Sequence, residues 1–358
     1  MNYQEHFKIE LSDIEIDNFK SGYWKVEDFT IVDGQLHALN PLTIDLHEGP
    51  AIVTKINLSE IDCIFISYDE PNADRNWADL LSKAPWAKRV HGVKGSDAAH
   101  KAAAELSTTN RFITVDGDNI VDPKFFDVEI NFAGTDLEDK QLSWCGKNII
   151  NGLVYGNGGL KCWTKDFVLG MKTHELAEDP ASQLDFCWNN RYKQMANLHS
   201  VSYNNASPLQ AWRAGFREGV KMTLNNGVKQ NFINPKHQLV RRNYQRLLIW
   251  CNIGSDVDQG LWAIYGARLG CYMTNCTDWD YLQVRDFDYL NELFKEKSYN
   301  DPLEQIVMLG KQLNLKLGLP MQYYSPEQSR FFKEVWVNPP RYDHMVKELD
   351  TNWDLLDL

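Results

Sequence analysis

Apolar and polar positions alternate in blocks along the first two thirds of the chain. Residues 61–67, Ile-Asp-Cys-Ile-Phe-Ile-Ser, form a compact apolar run that predicts a buried parallel strand, closed by the turn formers Tyr68-Asp69-Glu70-Pro71-Asn72. A helix is expected over 75–81, then a short strand at Val90-His91-Gly92-Val93 and a turn at Lys94-Gly95-Ser96, with Ser96 placed to cap the next helix. That helix, 97–106, is rich in alanine, which suits close packing on a sheet. The following run, Arg111-Phe112-Ile113-Thr114-Val115-Asp116, predicts a third strand. Strands alternating with helices imply an α/β fold whose parallel sheet has right-handed crossovers and binds ligands beyond the carboxyl ends of its strands.

The flanks differ in pattern. Tyr23-Trp24-Lys25-Val26, Phe29-Thr30-Ile31-Val32 before the hairpin turn Asp33-Gly34, and Ala51-Ile52-Val53 make residues 1–58 a small β-rich elaboration. From 236 onward apolar positions recur at helical spacing over 239–250, 257–269, 289–297, 302–313 and 326–335, with a terminal helix at 342–349. Three regions result: 1–58, a catalytic domain over 59–235, and a helical region over 236–358.

Composition narrows the class. With 358 residues, 43% hydrophobic and 12% aromatic, the chain can bury a large core. No apolar stretch approaches the roughly 20 residues that span a bilayer, and the opening Met-Asn-Tyr-Gln-Glu-His has no apolar leader core, so the expected location is the cytoplasm, the host's if a phage encodes the protein. Seven cysteines, without a Cys-x-x-Cys pair, read as reduced thiols and not as a zinc site. The net charge of -12 is unlike the basic footprint of most nucleic-acid binders. Any such contact would have to be local, and residues 236–246, Lys-His-Gln-Leu-Val-Arg-Arg-Asn-Tyr-Gln-Arg, hold the densest basic cluster.

The strand at 111–116 carries the most pointed chemistry. Asp116 and Asp118, two apart around Gly117, point the same way, and hard carboxylate oxygens so placed suit Mg²⁺ or Mn²⁺ completed by water and substrate phosphates. The same pattern also fits a solvated turn after a strand. Downstream, Tyr155-Gly156-Asn157-Gly158-Gly159-Leu160-Lys161-Cys162-Trp163 lets backbone approach a ligand closely at Gly158 and Gly159, or is a flexible turn. In Ala211-Trp212-Arg213-Ala214-Gly215-Phe216-Arg217-Glu218-Gly219-Val220-Lys221 the two arginines share a helix face. Arginine forks suit phosphate oxygens and Trp212 is placed to stack on a base; an amphipathic surface helix is the plainer alternative.

A strand ending Ser67-Tyr68-Asp69-Glu70, a turn into Ala98-Ala99-His100-Lys101-Ala102-Ala103-Ala104, and a strand ending Asp116-Gly117-Asp118 together resemble the nucleotide-sugar half of a GT-A glycosyltransferase. The stretch 211–221 resembles a signature of the phage glycosyltransferases that modify hydroxymethylated pyrimidines in DNA. The resemblance spans about residues 60 to 235. It implies a GT-A fold with a Rossmann-like parallel or mixed sheet, in which Ser67, Tyr68, Asp69 and Glu70 line the base and ribose pocket. Lys94, His100 or Lys101 would approach the diphosphate, and Asp116, Gly117 and Asp118 would hold Mn²⁺ or Mg²⁺ on it. It further implies His199 as a third metal ligand, an acceptor loop at Gly158 and Gly159, and acceptor contacts from Trp212, Arg213 and Arg217. Glu178, Asp179 and Asp185 are candidates for the carboxylate an inverting enzyme needs as base; a retaining enzyme needs none. The expected activity is sugar transfer from a nucleotide donor, UDP-linked, to hydroxymethylated pyrimidine, foremost hydroxymethylcytosine, in phage DNA. Two rivals share the donor half: a transferase acting on a glycan or surface polysaccharide, and a noncatalytic nucleotide-sugar or DNA-binding protein. No oligomeric state can be read from the pattern.

Overall fold

The computed structural model describes residues 29–32, 35–38, 55–156, 159–176, 178, 191–230, 235–298 and 301–337. The chain divides into two units, Met1–Val53 and Thr54–Leu358. In the first, β1 (Phe29–Val32) and β2 (Gln35–Ala38) form an antiparallel ladder with Val32 opposite Gln35, where the hairpin is expected. The strand expectations at 23–26 and 51–53, and the terminal helix at 342–349, lie outside the described residues.

The second unit opens with β3 (Lys55–Asn57), β4 (Asp62–Ser67), α1 (Ala73–Lys83), β5 (Lys88–His91), α2 (Ser96–Leu106) and β6 (Arg111–Asp116). β4 is parallel to both β5 and β6, as the alternating pattern requires. β5 ends two residues before the expected 93 because Gly92, at φ +74°, turns the chain out of the sheet. Ser96 does not cap α2. The N-cap is Gly95, at φ +93°, and the free N–H groups of Ser96 and Asp97 donate to the Glu175 carboxylate at 2.8 and 3.2 Å. A negative group there is favoured by the helix dipole.

Beyond β6 the sheet is no longer all parallel. β7 (Asn119–Val121), β8 (Glu129–Asn131), β9 (Gln141–Asn148), β10 (Val154–Tyr155), β11 (Leu160–Thr164), α3 (Lys165–Gly170) and β12 (Tyr192–Ser202) follow in sequence. Among the described residues the main sheet runs β5-β4-β6-β11-β9-β12-β7, with β10 on β9. β11 is antiparallel to β6 and to β9, β12 parallel to β9, and β7 antiparallel to β12. The architecture is therefore a mixed α/β sheet. Phe65, Val115, Phe125 and Trp144 fill one side of it; Ile64, Phe112, Trp163 and Val168 belong to a second apolar cluster.

The remaining longer helices are α4 (Pro208–Lys221), α5 (Arg241–Asn252), α6 (Gly260–Cys276), α7 (Phe287–Lys297), α8 (Pro302–Leu317) and α9 (Pro326–Phe332). Ser207 caps α4 by accepting from Gln210 N at 3.1 Å. α4 and α6 meet backbone to backbone. A Cβ on Gly215 or Gly219 would collide with the carbonyl oxygens of Ala263 and Ala267, and one on Gly266 or Gly270 with those of Trp212 and Phe216. The helices after 236 thus share a core with α4 inside one compact unit. Arg268, 1% exposed, braces them by donating to the carbonyls of Cys251, Ile306 and Gln322 and to Asn252 Oδ1. Cys63, Cys145, Cys162, Cys251 and Cys271 are buried free thiols; Cys187 lies outside the described residues. Among the described residues no helix is long and apolar enough to cross a membrane.

Candidate active site

The carboxyl ends of β4 and β6 open into a cavity of about 680 Å³, walled on its far side by α4 and the start of α7. Such a volume is typical of small-molecule sites.

At its centre is the turn between β6 and β7. Asp116 N–H donates to Gly159 O at 2.8 Å, Asn76 Nδ2 to Gly117 O at 3.0 Å, and Tyr203 N–H to Asp118 O at 2.7 Å, so the loop is held by three separate segments. A side chain at 117 would be forced against Glu70, whose Oε2 would lie 2.8 Å from its Cβ. Asn119 Nδ2 donates to Asp118 Oδ1 at 2.7 Å and is itself fixed through Ser202 Oγ at 3.1 Å from Asn119 Oδ1. Desolvation, reinforced by the neighbouring Asp116 and Glu70 charges, pushes Asp118 up to about 7. Burial likewise raises Glu70, with Asp69 and Asp116 adding to the effect. A cation answers this crowding from within: Lys161 Nζ lies 3.8 Å from Asp116 Oδ2.

Among the described residues no group of three or more His, Cys, Asp or Glu side chains is arranged to hold a metal ion. The donor set still fits a hard divalent cation of the kind that takes one or two carboxylates and completes its shell with water and phosphate oxygens. Asp116 and Asp118 supply those carboxylates beside open cavity, and the raised Asp118 marks negative charge that a cation would relieve.

Ser67, Tyr68, Asp69 and Glu70, expected on the nucleotide side, all line the cavity. Tyr68 N–H donates to Glu70 Oε2 at 2.8 Å, which leaves the half-exposed ring at the mouth. Lys94 also lines it and pairs with Asp288 of α7 at 2.6 Å. Lys101 does not; it is paired with Asp97 at 2.5 Å, one turn back on α2. His100 lines the cavity, but burial, with the Lys161 charge adding, pushes it down to about 4, and Ser96 O holds its Nδ1 at 2.8 Å. It is neutral near pH 7 and offers a diphosphate no positive charge.

On the acceptor side the expectations separate. Arg213 and Arg217 line the cavity, both against the Phe287 ring with guanidinium carbons 4.7 and 4.8 Å from its centroid, and Arg213 reaches Asp69 at 3.7 Å. Gly159 also lines it, pressed against the Asn119 side chain; Gly158 lies outside the described residues. Trp212 has no face to offer a base. It is fully buried, stacked on Phe216 at 4.8 Å and packed against Phe294, in a core position whose truncation would cost roughly 3–5 kcal/mol. His199 does not join Asp116 and Asp118 in the cavity lining either; its ring sits 5.4 Å from Phe125, and neither ring nitrogen has a hydrogen-bond partner among the described residues. Glu178 is exposed and paired with Lys172 at 3.1 Å, outside the lining; Asp179 and Asp185 lie outside the described residues.

Several lining residues escape a reading of the sequence. Lys161 is detectable as a charged residue inside an apolar strand. Phe287 and Asp288 carry no local signal, since the chain brings them to the site from some 70 residues beyond Arg217. Glu218 and Tyr155 stand in segments whose other residues draw attention first. Of the 236–246 cluster, Arg246 reaches the site's edge, over the Tyr155 ring at 4.6 Å.

No family model matches the chain, and no curated protein matches it. Among solved structures it is similar to a glycosyltransferase involved in the glycosylation of the major capsid of PBCV-1, at 12% identity and a TM-score of 0.25, over 40% of this chain and 94% of that one. A likeness at that level decides neither substrate nor mechanism, which rest on the cavity's own residues.

Proposed function

We propose that this protein is a metal-dependent glycosyltransferase that moves a sugar from a nucleotide donor, UDP-linked, to a hydroxymethylated pyrimidine in DNA. The observation that carries the donor half is the convergence of Asp116, Asp118 and Lys161 at the centre of the cavity that Ser67, Tyr68, Asp69 and Glu70 line. Leaving of a diphosphate builds negative charge at one place, and groups fixed there in advance lower the barrier. A divalent cation on Asp116 and Asp118 would supply charge neutralisation of that leaving group. Lys161 adds a fixed ammonium on the same side, Tyr68 offers a ring at the mouth for the base, and Asp69 and Glu70 offer acceptors for ribose hydroxyls.

The acceptor half rests on Arg213 and Arg217, two guanidinium groups of α4 that both pack on the Phe287 ring. Paired forks of this kind suit phosphate oxygens of a nucleic acid strand. A glycan acceptor is the second reading, favoured by the burial of Trp212 and by the formal net charge of -12.

The donor half is tested by incubating the protein with Mn²⁺ and a panel of nucleotide sugars and measuring nucleoside diphosphate release. Metal-dependent release that Asp118→Asn abolishes is expected. Normal turnover by that variant in metal-containing buffer would overturn the metal assignment.

A further inference from the structure

We propose that Glu218 is the group that takes the proton from the attacking hydroxyl, and that transfer therefore inverts the anomeric centre; this rests on reading the cavity as a glycosyl-transfer site. The other carboxylates that line the cavity cap helices, pair with cations or belong to the donor side. Glu175 caps α2, and Asp286 caps α7 by accepting from Tyr289 N at 3.0 Å. Glu70 accepts from Tyr68 N, Asp288 pairs with Lys94, and Asp69 lies against Arg213. Asp116 and Asp118 belong to the diphosphate centre.

Glu218 is different. It stands on α4 next to Arg217, on the acceptor wall, and is 9% exposed. Its partners are side chains that themselves line the cavity: Tyr155 OH donates to Oε2 at 2.6 Å, and Lys221 pairs with Oε1. Trp250 Nε1 donates in turn to Tyr155 OH at 3.1 Å, which fixes the phenol to point its own proton at the carboxylate. An ionised carboxylate has about four lone-pair sites, so each oxygen of Glu218 keeps one for an incoming hydroxyl. In the step, the acceptor O–H bond breaks and its proton passes to Glu218. The acceptor oxygen bonds to the sugar's anomeric carbon as the bond from that carbon to the diphosphate breaks, and that electron pair leaves with the diphosphate. Tyr155 and Lys221 act as positioning residues, since they reach the reaction through Glu218.

The test is Glu218→Gln in the full chain, which keeps an oxygen to accept from Tyr155. Transfer is expected to fall about 100-fold or more in kcat, the range of a lost general base, with donor KM unchanged. The loss should fall on kcat while Mn²⁺-dependent binding of the nucleoside diphosphate stays intact, a split that a purely structural role would not produce. Unchanged kcat, or a loss that falls on nucleoside diphosphate binding instead, would overturn the assignment. The anomeric configuration of the wild-type product, read by NMR, is independent of the variant's folding: inversion supports the proposal and retention overturns it. If the wild-type protein cleaves no nucleotide sugar at all, the reading of the cavity fails, and the assignment with it; wild-type cleavage with an unaffected variant removes the assignment alone.

Discussion

The Lys161 ammonium, in a residue 3% exposed, lies 3.8 Å from the Asp116 carboxylate. Register explains the pairing. Lys161 of β11 sits directly opposite Thr114 of β6, and Asp116, two residues on, shares Thr114's face, so lysine and aspartate are diagonal neighbours across the ladder. A buried ammonium is costly without a counter-charge, and here the counter-charge is the candidate diphosphate centre itself.

Replacing Lys161 with methionine keeps the length and apolar stem of the side chain and removes the charge. Affinity for a nucleoside diphosphate, measured by calorimetry with Mn²⁺ present, is expected to drop about tenfold or more, which is about 1.4 kcal/mol. Unchanged affinity would show that Lys161 serves the sheet and not the ligand.

Asp118 sets a pH dependence. Its carboxyl is pushed up to about 7 in the folded chain, from an ordinary 3.8. Between those values the folded state holds a proton that the unfolded state has lost, so this group's contribution is fully present below about pH 4 and is lost as pH rises through 7. Melting of the metal-free protein should therefore show a decline over that window that Asp118→Asn flattens. Millimolar Mn²⁺ at pH 8 should raise the wild-type Tm and leave the variant's unmoved, because a ligand that binds only the folded state stabilises it. Equal Mn²⁺ shifts in both proteins would contradict the site.

Much of this centre is legible in sequence, and the reasons are local. The run from Asp62 to Ser67 is too apolar for anything but a strand buried on both faces, and Asp116 and Asp118 follow a second such run. What sequence does not carry is geometry over distance. One residue step on a helix turns the side chain by about 100°, so Trp212 and Phe216 were bound to face differently from Arg213 and Arg217. The arginines took the cavity and the aromatics the core. Lys94, Lys101 and His100 lie within one short segment, yet their fates differ: Asp288, far along the chain, takes the first, Asp97, one turn back on the same helix, takes the second, and burial neutralises the third. Only the Lys101 pairing lies within a short window of sequence.

The contact between α4 and α6 leaves no room for a methyl group. Gly215→Ala and Gly219→Ala would each drive a Cβ into a carbonyl oxygen of α6, so one helix must shift. Destabilisation of about 1–3 kcal/mol or more is expected from urea unfolding. Because α4 also carries Arg213, Arg217 and Glu218, any transfer activity should fall in the same variants even at temperatures where they remain folded.

Arg217→Ala separates donor chemistry from acceptor binding. Donor cleavage should persist, since Arg217 stands on α4 and not on the β6–β7 turn that carries Asp116 and Asp118, while DNA binding weakens and loses part of its salt dependence. Fluorescence anisotropy with labelled single-stranded and duplex DNA at several salt concentrations reads this directly. Unaltered binding with an unaltered salt slope would favour the glycan acceptor.

Transfer of a sugar to a modified base is decided by nucleoside mass spectrometry. Purified protein, Mn²⁺ and a mixture of nucleotide sugars are incubated with plain DNA and with DNA containing hydroxymethylcytosine or hydroxymethyluracil, and the digested nucleosides are weighed. A pentose or hexose mass is expected on a hydroxymethylated base only, and only with metal. Donor cleavage without any sugar on those bases would contradict the DNA acceptor.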